Sequence, residues 1–106
     1  MSAAQLFFQS MNLNIRYDAP QEVWDQVALI YEKLEGWIGY AYDLPFWFGF
    51  DETQKHICAS VEPSGLQFSG LMPESEWDEW RKAVKAIATE ILGYKLGEIK
   101  AGEVDF

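Results

Sequence analysis

His56, Cys58 and Ser60 are the residues of this chain best suited to covalent chemistry. They alternate along the run KHICASV, so a β-strand would present all three on one face. A Cys–His pair two residues apart suits thiolate activation. A triad would need a third group to orient the base, and a metal site would need further His or Cys at ligand spacing. His56 is the only histidine and Cys58 the only cysteine. His56 opens its strand beside a polar loop, which predicts an exposed ring, and Cys58 reads as a small packing residue. Asp51–Glu52 and Asp78–Glu79 are sequence neighbours, whereas general acid–base work needs carboxylates converging across a cleft. No phosphate loop, dinucleotide glycine fingerprint or zinc spacing occurs. The sequence therefore predicts no catalytic residues, no metal and no cofactor.

Charge narrows the partners. Seventeen acids against eight bases give a net charge of −9. That disfavours nucleic acid and anionic lipid, and suits a cationic protein. One cysteine excludes an internal disulfide and fits a reducing compartment. No apolar run approaches the ~20 residues of a membrane span, and the N-terminus lacks the pattern of a signal peptide. The expectation is a cytoplasmic protein with a single domain over 1–106, half of it apolar and 16% aromatic.

The stretch from Phe46 to Leu71 organises the elements. Three apolar runs, FWFGF, KHICASV and LQFSGL, are cut by DETQ and EPSG, the pattern of a three-strand antiparallel meander. Before it, Leu13, Ile15 and Tyr17 alternate with polar residues as a half-buried strand from Met11. Residues 1–10 read as a flexible tail or a strand extension. Asp18 offers an N-cap, with Gln21 or Glu22 to close a capping box, for a helix over about 20–35 stopped by Gly36. A loop is predicted over 36–44 and a strand over 45–50. Counting by twos from Tyr40 puts Tyr42, Leu44, Phe46, Phe48 and Phe50 on the core side and leaves Trp47 on the wetter side. Pro45 breaks the strand or marks an edge. Glu62-Pro63-Ser64-Gly65 is a turn with glycine in the left-handed position. A second helix opens at Pro73, with Ser75 and Asp78 as capping pair. It carries Trp77, Trp80, Val84, Ile87 and Ile91 as its stripe and stops at Gly93. The fold class is α+β, in the order β-α-β-β-β-α. An antiparallel sheet of four strands, or five if the tail 94–106 adds an edge strand, has both helices packed on one face.

The segment from Trp77 onward, with AIATEILGYKLGEIKAGEVDF, resembles the C-terminal ends of small acidic bacterial proteins carried on mobile gene cassettes, including toxin-immunity proteins. It covers about a third of the chain. The resemblance implies stoichiometric binding and blocking of a basic, often nuclease-type, toxin.

These lines lead to a non-enzymatic acidic binding protein of immunity type. Its partner-binding surface would consist of Asp43, Asp51, Glu52, Glu62, Glu74 and Glu76, with an exposed Trp47 as anchor. The alternative is a small-ligand binder whose pocket between sheet and helices is lined by Tyr40, Tyr42, Phe46, Trp77 and Trp80. A homodimer through an open sheet face or edge strand is compatible with either.

Overall fold

The computed structural model describes residues 5–105. Its elements are β1 (Phe7–Leu13), α1 (Gln21–Lys33), β2 (Trp37–Ala41), β3 (Leu44–Trp47), β4 (His56–Glu62), β5 (Gly65–Met72) and α2 (Glu74–Leu92). The five strands form one antiparallel sheet in the order β1-β5-β4-β3-β2. This is the expected α+β class with a fifth strand. That strand is β2, in the segment predicted as a loop. Trp37, Ile38, Tyr40 and Ala41 have strand character, and Gly39 between them disguised it. The first strand also begins earlier than expected, at Phe7, so part of the 1–10 segment is strand extension. The expectation for residues 1–4 lies outside the described residues.

Both helices lie on one face. Val27, Ile30, Tyr31 and Leu34 of the α1 segment and Trp77, Trp80, Val84 and Ala88 of α2 pack on Met11, Leu13, Trp47, Ile57, Ala59, Phe68 and Met72. Neither start uses the predicted side-chain cap. Pro20 and Pro73 occupy the N-cap positions without a capping hydrogen bond. Asp18 instead accepts from Arg16 at 3.0 Å. α2 ends as expected at Gly93, in the left-handed conformation. No helix among the described residues is long and apolar enough to cross a membrane.

Two indoles tie the layers together. Trp47 Nε1 donates to the Tyr31 carbonyl at 3.1 Å, and Trp80 Nε1 to the Glu35 carbonyl at 2.9 Å. The Tyr31 carbonyl sits in the last turn of α1, with one longer bond from the Leu34 N–H, and the Glu35 carbonyl just beyond the helix, so each indole supplies a donor to the backbone there while its ring fills the core. Trp47 sits 5.2 Å from Trp80 and 5.7 Å from Phe68, ring centre to ring centre. At the same corner Gly36 has φ +88°. A Cβ there would lie 2.6 Å from the Phe48 ring, so both space and backbone demand glycine.

The tail makes one antiparallel bridge, Leu13 to Glu98, rather than a full strand. Ion pairs strap it to α2. Lys85 donates to Glu98 at 2.6 Å and to both Glu103 oxygens at 3.1 Å. Burial alone would lower the Lys85 pKa, but its bonds to the two carboxylates outweigh that and raise it. The Glu98 backbone N–H, at 2.9 Å, leads the interactions that hold Glu103 below the ordinary carboxylate value.

Replacing Trp47→Phe leaves the Tyr31 carbonyl with only the longer Leu34 N–H bond at 3.3 Å, removes part of a fully buried ring, and should cost about 1–3 kcal/mol in equilibrium denaturant unfolding. Because the folded-state pKa of Glu103 is depressed, its contribution is present above the unfolded carboxylate value and lost as pH falls through the folded one. Glu103→Gln should therefore lower the melting temperature at pH 7. Its difference from wild type should shrink below pH ~4.

Candidate functional site

The sheet face away from the helices is open. Residues paired across an antiparallel ladder share a face, so the register assigns it. Phe8, Leu71 and His56 form one row, and Ser10, Ser69, Cys58 and Phe46 the next. Glu62 lies at the far end. Phe8 and Ser10 are exposed and Leu71, Ser69, Cys58 and Glu62 half-buried, but Phe46 and His56 are 1% and 6% exposed. The β3–β4 loop, residues 48–55, accounts for this by folding back over the face. Phe50 packs on Phe46 at 5.5 Å, and Phe46 on His56 at 6.4 Å. Asp51 Oδ1 accepts from the Thr53 N–H at 2.8 Å and its hydroxyl at 2.6 Å, which closes the loop. The hydroxyl bond is the main reason the Asp51 carboxyl stays below its ordinary value.

Two shallow grooves flank this loop. One is lined by Tyr42, Leu44, Phe46, Phe50, Asp51 and Glu52. The other is lined by Phe8, Glu52, His56, Cys58 and Ser69. Glu52 is common to both. Tyr42 is 90% exposed, Phe8 73% and Phe50 47%. The face is therefore apolar at its rims, hydroxyl-bearing at its centre and overhung by carboxylates.

Cations are segregated from it. Of the eight Lys and Arg residues, Arg16, Lys33, Arg81, Lys82, Lys85, Lys95 and Lys100 belong to the helices, the β1–α1 connection and the tail. Lys55, the last residue of the β3–β4 loop, is ion-paired to Glu76, with its ammonium 4.6 Å from the centre of the Phe48 ring.

The expected sites are only partly assembled. Asp51 and Glu52, in the β3–β4 loop, lie at the same end of the sheet as Glu74 and Glu76 at the start of α2, because His56 pairs with Leu71 there. Asp43 and Glu62 occupy the opposite end, on the β2–β3 and β4–β5 turns. The six acids thus form two groups. Trp47 is not an exposed anchor: it is 0% exposed and faces the helices. Counting by twos failed there because a two-residue turn, Tyr42-Asp43, joins β2 to β3. Across it Ala41 pairs with Leu44 and Tyr40 with Pro45, so odd and even positions exchange faces.

The five pocket residues do not converge either. Trp77 and Trp80 are core, Phe46 lies on the other face, and Tyr40 and Tyr42 are at the surface. The residues that sequence reasoning missed are Phe8 and Phe50. Phe8 was legible as an apolar residue two positions before Ser10 in an extended strand.

His56 is buried, not exposed as expected. Its Nδ1 lies 2.9 Å from the Gln54 carbonyl, so Nδ1 carries the proton and donates. Cys58 shares the face, with Sγ 4.0 Å from Ser69 Oγ, and burial pushes its thiol pKa up, opposite to nucleophile activation. Among the described residues no group of three or more His, Cys, Asp or Glu side chains comes together for a metal. The chain matches no protein-family model, no curated protein and no solved structure.

Tyr42 (φ 54°) and Asp43 (φ 64°) both take the left-handed region that a type I′ hairpin turn requires. A tyrosine there carries backbone strain that asparagine would largely relieve. Tyr42→Asn should raise stability by about 0.5–1 kcal/mol in equilibrium denaturant unfolding.

Proposed function

We propose that this chain is a non-enzymatic binding protein whose open sheet face docks a basic protein partner, in the manner of an immunity-type inhibitor. The observation that carries this reading is the segregation of charge. The open face presents Phe8, Tyr42 and Phe50 beside Asp43, Asp51, Glu52 and Glu62, and its nearest cation, Lys55, is already paired. Apolar contacts to the exposed rings at the rims of this face supply affinity, and the carboxylates beside them speed the encounter with a cation. Asp51 suits this role because its loop bonds keep it ionised into acid. The strained Tyr42 turn also fits: an aromatic ring is held at the tip of a hairpin where asparagine or glycine would be easier to accommodate. The resemblance of the C-terminal third to immunity proteins points the same way.

Immobilised wild type, Glu52→Lys and Glu32→Lys would test this in a lysate of the source cell at low and high salt. Wild type and Glu32→Lys, whose change lies on α1, should retain the same basic protein stoichiometrically and release it as salt rises. Glu52→Lys should associate with it about tenfold more slowly or worse. Equal binding by all three variants, or equal loss from both charge reversals, would remove the open face from the account.

A further inference from the structure

We infer that the outer edge of β1 is a self-pairing edge, on which a second copy of this chain adds antiparallel to make one continuous sheet. Ile99 N–H donates to the Asn12 carbonyl at 3.1 Å, and Leu13 is bridged to Glu98. Leu13 already pairs with Leu66 on β5, so the tail approaches from the outer side. In an antiparallel strand the N–H and C=O of one residue point to the same edge, and successive residues alternate. The backbone groups of Ser10 and Phe8 therefore also point outward. Among the described residues β1 ends the strand order, and the tail meets it only around Leu13.

Edges are ordinarily blunted by charge, proline or a bulge. β2, the other edge, has a register irregularity between Trp37 and Gly39. β1 has none of these. It pairs with β5 through seven consecutive residues, no charged side chain occurs from Gln5 to Ile15, and Phe7 and Phe8 are 47% and 73% exposed. The charge pattern selects the occupant. Two copies at −9 repel over most of their surfaces, and this edge is a strip where they do not. Along β1 itself a cationic partner meets no carboxylate to pair with.

The tail also sets the register. It closes the edge at Asn12 and Leu13 and leaves Phe7–Met11, whose centre is Gln9. A twofold axis at Gln9 places Phe8 opposite the partner subunit's Ser10 and Phe7 opposite the partner subunit's Met11. Both open faces then lie on the same side. One strand pair buries little area, so the dimer is weak and concentration-dependent.

Sedimentation equilibrium of the full chain up to millimolar concentration tests this. The wild-type mass should climb from 12.2 kDa toward twice that value, and more readily at high salt, because screening relieves the repulsion between copies. Phe8→Lys, which puts a charge in the strip, and Ser10→Pro, which removes an outward N–H and spares the β5 ladder, should stay at 12.2 kDa with unchanged circular dichroism. Tyr42→Lys, on the same face but at the far edge, should behave like wild type. If Ser10→Pro fails to fold, Phe8→Lys decides alone. A wild type that stays monomeric throughout, a dimer that survives Phe8→Lys, or one that weakens with salt would overturn the inference.

Discussion

The end of α1 needs hydrogen-bond donors, and the core needs large apolar volume. Trp47 and Trp80 meet both needs with the same side chains. Trp47 comes from the end of β3 and Trp80 from α2, so three elements converge where α1 ends. The Phe48 ring against Gly36 and the Phe48 N–H donating to the Gly36 carbonyl at 2.8 Å close the same corner. Little freedom remains there. The β3–β4 loop that follows Phe48 is launched from this fixed point, which is why it can fold back over the far side of the sheet.

The consequence for function is a division of labour between the two faces. Most of the tryptophans serve the helix-side layer, where Trp47, Trp77 and Trp80 are buried in the core. The opposite face is covered by one loop, held by Asp51 and Thr53, which buries Phe46 and keeps Phe8 and Phe50 near solvent. The few acids around it have little positive charge nearby, because the helices, the β1–α1 connection and the tail hold seven of the eight cations. The tail itself is fixed by Lys85, Glu98 and Glu103.

Much of the fold was legible because its signals are local. The Pro63–Gly65 turn, the stop at Gly93 and the Trp77–Trp80–Val84 stripe each depend on a few neighbouring residues, and each stands where expected. The failures share one cause. Alternation assigns faces only within an unbroken strand, and a two-residue hairpin exchanges odd for even. Trp47 and Phe46 therefore swapped sides, and the candidate site inherited the error. Likewise, the burial of His56 depends on a loop folding over it from beyond the strand, which no periodicity in its own strand encodes. The two groups of acids follow from strand order, a property of the whole sheet.

The indoles of Trp37, Trp47, Trp80 and Trp77 form an unbroken series, with centres 5.4, 5.2 and 6.1 Å apart in turn. At such separations their excited states are not independent. Light absorbed by one ring is shared along the series, so the emission of this chain is a property of the group and not of any single residue. The near-ultraviolet optical activity should likewise carry the signature of coupled chromophores. The chain thus contains its own optical gauge of whether sheet and helices remain joined, with only Trp24 standing outside it.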